Sequence, residues 1–352
     1  MADKVLMKGN EAIAEAAILA GCRHYFGYPI TPQTEIAAYM AKRMPKIGGT
    51  FLQAESEIAA INMVYGCASA GKRAMTSSSS PGVSLKSEGI SYMAGSDLPG
   101  LIVNVQRGGP GLGGIQPSQS DYFQATKGGG HGDYHLIVLA PASVQEMANM
   151  TVKGFDLADK YRMPVMLLAD GTMGQMMEPV SLDLDIAPAP EKPWATTGTQ
   201  CARAHNITNS LSLVPEELEQ LNNARYEKYA QIQKNEVMVE AFMTEDADVC
   251  IVAFGIAARV SKNAVIAARA KGIKVGLIRP ITLWPFPTEV IAKAAEHCSR
   301  FISVELSMGQ MIEDVRLAVN GKAPVELCYR VGGMIPSPEQ VLAAIENGGA
   351  KA

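Results

Sequence analysis

The sequence is poor in the residues that hold metals, and those present form no metal-binding pattern. Its six cysteines stand at positions 22, 67, 201, 250, 298 and 328 without a C-x-x-C pair, and none of its five histidines lies at zinc-ligand spacing from a cysteine. Scattered thiols of this kind are typical of buried cysteines in a reducing compartment. The sequence therefore predicts no metal ligands, and no iron–sulfur cluster held by this chain alone.

Long apolar runs and blocks of like charge are also absent. The formal net charge of the 352 residues is −4, with acids and bases mixed along the chain. Because there is no basic block, nucleic acid is not an expected partner. No apolar stretch is long enough to span a bilayer and no signal-like run begins the sequence, so we expect a cytoplasmic protein that does not enter membranes.

Several common catalytic motifs are missing as well. The sequence has no G-x-x-x-x-G-K-[ST] loop, no H-E-x-x-H and no G-x-S-x-G, which excludes a P-loop, the usual zinc protease site and a nucleophile elbow. Residues 109–114 fit the letters G-x-G-x-x-G, but Pro117 and a polar run follow them. A dinucleotide-binding fingerprint requires a helix at that point, so we reject it.

What the sequence does contain is an alternation of short apolar runs and helical patterns. A hydrophobic content of 47% allows a large core, and the length predicts two domains. The predicted fold class is α/β with two doubly wound parallel-sheet domains. We predict a first domain over residues 1–180, a linker over 181–246 that includes a polar bridging helix at 215–244, and a smaller second domain over 247–352.

Two stretches of the first domain each follow a predicted strand and precede a helix. They are Gly27–Pro32, which carries Thr31, and Gln53–Glu57. Ligands of open α/β sheets bind at this edge, so a hydroxyl and an acid there suggest a site. The residues alone favour simpler interpretations: Glu57 stabilises a helix N-terminus and Thr31 is a turn residue.

Other polar residues at predicted strand ends have two interpretations each. The serines at 77–80 either cap the next helix or line the same edge as Thr31. Arg107 ends a buried strand, where it either receives a carboxylate or forms a surface salt bridge. His131 lies in a glycine-rich stretch of the long irregular segment 107–133, and either reaches into a site or faces solvent.

Long runs of the chain resemble one protein family. MKGNEAIAEAAILAGCRHYFGYPITPQTEIAAYM, FLQAESEIAAINMVYGCASAGKRAMTSSSSPG and VNVQRGGPGLGGIQPSQSDYFQATKGGGHGDYHLIVLAPASVQE closely resemble α subunits of 2-oxoacid:ferredoxin oxidoreductases. GLIRPITLWPFP and VELSMGQM resemble the transketolase C-terminal-like domain of the same subunits. Among the subgroups of this family, these runs most resemble the branched-chain (3-methyl-2-oxobutanoate, or 2-ketoisovalerate) enzymes, followed by the 2-oxoglutarate enzymes.

The resemblance implies that the first domain binds the pyrimidine end of thiamine diphosphate. Glu57 matches the family acid that hydrogen-bonds the aminopyrimidine ring, with Glu55 as its rival two residues earlier. Thr31 matches a threonine that contacts both cofactor and substrate, and Arg107 matches the arginine that receives the oxoacid carboxylate. The other residues assigned to cofactor binding are Pro29, Ile30, Ser79 and Ser80. Those assigned to substrate binding are Gln116, Ser118 and His131.

The sequence lacks the G-D-G and later Asn that usually bind the cofactor's diphosphate and Mg²⁺, because Asp170-Gly171-Thr172 has neither the first glycine nor the asparagine. The resemblance implies that a β subunit supplies this site, and that γ and ferredoxin-like subunits complete the complex and its iron–sulfur clusters. The complex would convert a 2-oxoacid and coenzyme A to acyl-CoA and carbon dioxide, with electrons to ferredoxin. A stand-alone thiamine lyase or transferase and a non-catalytic scaffold subunit are the remoter alternatives.

Overall fold

The structure is a computed structural model that describes residues 4–347. Between residues 4 and 181, short strands alternate with helices. The strands are β1 (Lys4–Lys8), β2 (His24–Gly27), β3 (Thr50–Gln53), β4 (Ala74–Ser78), β5 (Gly100–Gln106), β6 (Ile137–Leu139), β7 (Pro164–Asp170) and β8 (Met177–Ser181). The helices are α1 (Gly9–Leu19), α2 (Thr34–Arg43), α3 (Glu57–Ser69), α4 (Ser80–Gly95), α5 (Tyr122–Thr126), α6 (Val144–Tyr161) and α7 (Gly171–Gln175).

The second half of the described chain begins with the long helix that the sequence predicts. Its elements are α8 (Pro215–Asn235), β9 (Val239–Phe242), β10 (Val249–Val252), α9 (Gly255–Ala270), β11 (Val275–Pro280), β12 (Thr282–Trp284), α10 (Thr288–Ala294), β13 (Arg300–Glu305), α11 (Met311–Val319), β14 (Val325–Tyr329) and α12 (Pro338–Asn347). Within residues 4–347 no helix is both long enough and apolar enough to cross a bilayer.

Two sheets form the cores of the two halves, which confirms the predicted α/β class. The larger has the strand order β12-β6-β7-β5-β4-β2-β3, and the smaller β14-β13-β10-β11-β9. All neighbours in them are parallel except β12 beside β6 and β9 beside β11. Every residue of β5 and β7 is buried, as expected for strands covered by helices on both faces.

The strand β9 corrects one sequence prediction. The polar helical pattern was expected to run to residue 244, but α8 ends at Asn235 and the chain turns into β9. In β9, Glu240 lies opposite Arg279 of β11, and Arg279 Nε donates to Glu240 Oε2 at 2.7 Å. A cross-strand ion pair of this kind stabilises the edge of a sheet, so tertiary pairing outweighs the local helical pattern.

The strand β12 comes from the second predicted domain but completes the first sheet. Its Thr282 and Trp284 pair with Leu139 and Val138 of β6. Trp284 also stacks on His135, with ring centroids 4.6 Å apart, and packs edge-on against Tyr229 of α8 at 5.6 Å. The boundaries at residues 180 and 246 remain predictions, and the structure adds that the two halves interlock through β12.

The loop that follows β5 is held against the second half of the chain. The Gln119 side chain donates to the Phe254 carbonyl at 2.9 Å and accepts from the Leu306 amide at 3.1 Å. Gln310 accepts a hydrogen bond from the Phe123 amide at 2.8 Å. These bonds are buried or half-buried, so the second half of the chain fixes the course of residues 118–123.

Candidate functional site

The parallel strands β2, β3, β4 and β5 end at one edge of the larger sheet, and the candidate site lies there. Thr31 follows β2, Glu57 follows β3, Ser79 and Ser80 follow β4, and Arg107 follows β5. The carboxyl ends of neighbouring parallel strands are adjacent, so residues distant in sequence come together. The structure thus gathers the main predicted site residues at this edge.

Glu57 is the buried acid of this edge. It is the first residue of α3, which is capped by Ser56, whose hydroxyl accepts from the Ala59 amide at 3.2 Å. Glu57 is only 6% exposed, whereas Glu55 is exposed. Within the described chain no hydrogen bond reaches the Glu57 carboxylate. Burial therefore distinguishes the two acids, and Glu57 is free to bind a ligand.

The close packing of α3 on α4 shapes the surroundings of Glu57. A Cβ atom added to Gly82 of α4 would lie 2.6 Å from Glu57 Oε1 and 2.1 Å from the Ser78 hydroxyl. One added to Gly89 would lie 2.5 Å from Ile61 Cγ2 on α3. The absence of side chains at these two glycines lets the helices approach and leaves the carboxylate against the α4 backbone.

Three hydroxyl groups in and just after β4 are buried without a hydrogen-bond partner among the described residues. They belong to Thr76, Ser78 and Ser79. Buried polar groups are nearly always paired in folded proteins. Unpaired hydroxyls close to an unpaired carboxylate indicate a polar site that a ligand completes.

Ser80 has a different role from Ser79, because its hydroxyl is engaged within the chain. It donates to Asp121 Oδ2 at 2.6 Å and accepts from the Arg107 amide at 3.1 Å. Asn104 also donates to Asp121, at 2.9 Å. Burial raises the pKa of the Asp121 carboxyl, although these two hydrogen bonds oppose the rise. Ser80 therefore ties the start of α4 to the end of β5.

Arg107 connects the turn after β2 to the loop after β5. Its guanidinium donates to the Thr31 carbonyl at 3.0 Å and to the Leu112 carbonyl at 3.2 Å, and its Nε is buried without a partner. Arg107 forms no salt bridge with another described residue, so the surface ion pair considered from sequence is not its role in this structure. A buried guanidinium with spare donors suits a carboxylate ligand.

A cavity of about 740 Å³ opens beside Thr31. Its wall combines apolar and polar side chains and contains no lysine or arginine. It is lined by Thr31, Pro32, Thr34, Glu35, Ile115, Gln116, Pro117, Gly171, Thr172, Gln175 and Met176. Gln116 and Thr31 thus line the same cavity, and the assignment of Gln116 to the substrate remains a prediction.

The other assigned residues lie at varying distances from this cavity. Pro29 is exposed and Ile30 half-buried in the turn before Thr31. Ser118 lines a second cavity, of about 780 Å³, between the two halves of the chain, and its hydroxyl donates to the Leu306 carbonyl at 3.3 Å. Ser118 therefore lies near the site but at the contact with the second half.

His131 is not brought to the site. Its carbonyl accepts from the Ser91 hydroxyl at 2.6 Å, and its ring meets Tyr92 edge-on at 5.9 Å. These contacts lie about 17 Å along α4 from Ser80, given the helical rise per residue. The flexible glycines around His131 suggested that it reaches inward, but the loop instead lies along the far end of α4.

The sequence interpretation overlooked Lys86. It lies on α4, is completely buried, and its Nζ has no hydrogen-bond partner among the described residues. Burial lowers the pKa of Lys86 to about 8, and the nearby Glu57 carboxylate opposes that fall. The available signal was its spacing, since it stands four residues after Gly82 and three before Gly89, within the buried stripe of the helix.

Two protein-family models match the sequence. Residues 15–241 match the one described as "Pyruvate flavodoxin/ferredoxin oxidoreductase, thiamine diP-bdg". Residues 247–341 match "Pyruvate:ferredoxin oxidoreductase core domain II". The first match includes every residue of the candidate site.

Individual relatives agree with these matches. The chain is 52% identical over 343 residues to ketoisovalerate oxidoreductase subunit VorB of Methanothermobacter marburgensis, with 97% of each protein covered. It is 37% identical over 378 residues to 2-oxoglutarate synthase subunit KorA of the same organism, covering 98% of this chain and 99% of the relative. A solved structure, 2-oxoglutarate:ferredoxin oxidoreductase from Magnetococcus marinus with 2-oxoglutarate, coenzyme A and succinyl-CoA bound, matches with a TM-score of 0.89 at 32% identity. That match covers 98% of this chain and 65% of the other.

The packing around Gly82 generates a stability prediction. Gly82→Ala places a methyl group within 2.6 Å of Glu57 Oε1, and we expect it to reduce the free energy of unfolding by about 1–3 kcal/mol through overpacking. Gly66→Ala on α3 is the matched control. A Cβ there meets nothing within 4 Å, so this helix is expected to gain about 0.5–1 kcal/mol. Urea unfolding measures both, and equal effects of the two substitutions would contradict the close contact.

Proposed function

The chain belongs to the 2-oxoacid:ferredoxin oxidoreductase family, and on that premise we propose that its complex oxidatively decarboxylates branched-chain 2-oxoacids, 3-methyl-2-oxobutanoate above all. The products are acyl-CoA and carbon dioxide, with electrons passed to ferredoxin. The observation that carries this proposal is the buried, unpaired Glu57 carboxylate among unpaired hydroxyls at the sheet edge. Relatives named for ketoisovalerate support the choice of substrate.

The residues at the edge fit the pyrimidine end of thiamine diphosphate. Glu57 presents a carboxyl group with no partner in the described chain, and Ser78 and Ser79 present unpaired hydroxyls. Gly82 lets the α4 backbone lie against both groups, since a Cβ there would be 2.1 Å from the Ser78 hydroxyl and 2.6 Å from Glu57 Oε1. Pro29 and Ile30 form the turn above it. When bound there, thiamine diphosphate would supply a carbon nucleophile and an electron sink for decarboxylation.

Glu57 acts in this proposal as the proton-holding group of the site. A carboxyl group in a water-poor pocket exchanges a proton readily with a ring nitrogen, because neither charged form is well solvated. Its position at the N-terminus of α3 fixes it relative to the sheet edge. The task of this chain is therefore to place one carboxyl group and to exclude water from it.

Thr31 and Arg107 orient the oxoacid. Arg107 already donates to the Thr31 carbonyl and retains a buried Nε without a partner. A substrate carboxylate bound there would form charge-assisted hydrogen bonds and hold the oxo carbon in a fixed direction. Gln116 and Ser118 lie on the loop that Arg107 anchors, so the same contact sets the position of the substrate loop.

The composition of the 740 Å³ cavity favours an apolar substrate side chain. Ile115, Pro117 and Met176 contribute apolar surface, whereas Glu35 is the charged residue in its wall. Glu35 is already paired with Lys8, whose Nζ lies 3.3 Å from Glu35 Oε1, so the second carboxylate of 2-oxoglutarate would meet no unpaired cation in the cavity wall. An isopropyl group has no such penalty.

The site is proposed to be half of a complete one. Among residues 4–347 no group of three or more His, Cys, Asp or Glu side chains is placed to hold a metal ion. Asp170 accepts from the amides of Thr172 and Met173, at 2.9 and 3.0 Å, as the N-cap of α7. A β subunit is therefore proposed to bind the diphosphate and Mg²⁺. Further γ and ferredoxin-like subunits are proposed to carry iron–sulfur clusters in a cytoplasmic complex.

Exposed apolar residues beside the site support such a partner. Ile58, next to Glu57, is 48% exposed, Leu85, next to Lys86, is 50% exposed, and Leu52 at the end of β3 is 39% exposed. We call these three the apolar rim. Apolar side chains around a polar cleft are typical of a protein interface, so the rim is the proposed β-subunit contact.

Substitution of Glu57 tests the catalytic assignment. Glu57→Gln keeps the shape of the side chain but cannot exchange a proton, so we expect oxoacid-dependent ferredoxin reduction by the reconstituted complex to fall by at least about 100-fold. Glu55→Gln, two residues away and exposed, is expected to retain near-normal activity. Near-normal activity of the Glu57 variant would make that residue structural and would favour the scaffold alternative.

Substrate choice is tested by anaerobic ferredoxin reduction with three oxoacids. We expect kcat/KM for 3-methyl-2-oxobutanoate to exceed those for 2-oxoglutarate and pyruvate by at least about tenfold, the discrimination that one or two methylene-sized contacts or an unpaired charge supplies. A preference for 2-oxoglutarate would contradict the assignment of branched-chain substrates but would not affect the assignment to the family.

The half-site proposal is tested by calorimetry with thiamine diphosphate and Mg²⁺. The isolated chain is expected to bind them at least about 100-fold more weakly than its mixture with the β subunit, because the diphosphate contributes most of the charged contacts. Tight binding by the isolated chain would instead support a stand-alone thiamine enzyme.

A further inference from the structure

Lys86 lies between the two glycines through which α4 contacts α3. Gly82 faces Glu57 and Gly89 faces Ile61, and residues four and three positions apart share one face of a helix. Lys86 is therefore directed at the α3 surface between Glu57 and Ile61. Long helical side chains lean toward the helix N-terminus, which here is the Glu57 end.

A lysine in this place is costly for folding. Its side chain is fully buried and its Nζ makes no hydrogen bond to any described residue. A buried ammonium without a partner loses its hydration free energy and gains no hydrogen bond in exchange. An apolar residue of equal length would fill the same space without this desolvation penalty. The position thus carries a charge that packing alone does not require.

Glu57 is the charged group that faces Lys86. On the helices and strands packed against α4, the other ionisable residues are Tyr65 and Cys67 of α3 and Asp170 at the end of β7. Asp121, His131 and Arg225 also contact α4, at Ser80, Tyr92 and Gly95. Tyr65 hydrogen-bonds Ser96 at the opposite end of α4, and Asp170 is occupied as a helix cap. Of these groups it is Glu57 whose charge raises the pKa of Lys86.

We propose that Lys86 is a positioning residue of the cofactor site, whose buried, unpartnered ammonium faces the Glu57 carboxyl from α4 and orients it for the pyrimidine ring. This inference rests on the proposed function for the meaning of Glu57, but not for the link between the two side chains. A cation beside a carboxylate makes the corresponding acid stronger. A proton shared between Glu57 and the ring nitrogen would then lie more on the ring nitrogen.

The test measures Glu57 itself in the full chain without cofactor. The chain is labelled with δ-¹³C glutamate, Glu57→Gln identifies its carboxyl resonance, and the titration midpoint is read by NMR. In Lys86→Met we expect that midpoint to rise by about one pH unit, the usual effect of losing a close opposite charge. Lys42→Met, at an exposed position on α2, is the control and should leave it unchanged.

Two further measurements separate a positioning role from a packing role. Lys86→Met should unfold at equal or higher urea concentration than the wild type, since a buried charge is removed. In the reconstituted complex it should lower kcat about tenfold with the oxoacid KM within about twofold, because it acts through Glu57 rather than on the substrate. Lys86→Gln, which is neutral and polar, repeats the titration if the Met variant does not fold.

An unchanged Glu57 midpoint in both Lys86 variants would overturn the proposal and leave Lys86 as a packing residue. So would a shifted midpoint with unchanged kcat, because positioning would then have no consequence for the reaction. These outcomes differ from failure of the proposed function. Full activity of Glu57→Gln would remove the catalytic role of Glu57 without altering the measured coupling to Lys86.

Discussion

The site depends on the parallel arrangement of four neighbouring strands. Because β2, β3, β4 and β5 end at one edge, the turns that follow them share a small volume, and each contributes at least one polar group. Covering helices begin there too, so every polar group lies at a helix N-terminus or a strand end. The apolar strands themselves are rigid and dry, which holds these groups at fixed separations and keeps the local dielectric low.

The second half of the chain contributes to this site without supplying its chemistry. Glu305 is completely buried and accepts hydrogen bonds from Ser303, Ser307 and three successive amides, Gln310 to Ile312. It fixes the turn whose Leu306 and Gln310 hold the loop after β5. A carboxylate satisfied by its own helix N-terminus costs little to bury.

The sequence predicted most elements because their signals are local. Apolar runs such as β5 and β7 and helices bounded by glycine or proline need no tertiary information. Three features did need it. The residues of β9 continue a helical pattern but form a strand, because they pair with the edge of β11. The strand β12 pairs with a strand of the other half. The glycines around His131 allow several courses for the loop and do not predict which one it takes. Each is decided by contacts far apart in sequence.

Within the site, sequence physics left Glu55 and Glu57 separable only by resemblance, and burial now distinguishes them. The same burial reveals Lys86, which composition and charge counts treat as one of 31 basic residues. Its placement was readable from the i, i+4, i+7 spacing of Gly82, Lys86 and Gly89. The burial of Lys86 could not be predicted from that spacing, because it depends on α3 packing against this face of α4.

The pairing of β12 with β6 has a consequence for how the chain is made. During synthesis the first sheet has an unpaired edge until Trp284 has emerged, about a hundred residues after β8. Unpaired strand edges attract other chains, so for that interval the nascent protein is exposed to mispairing. A fragment cut at the linker would lack β12 and retain an open β6 edge, so the first sheet is completed only when the second half has been made.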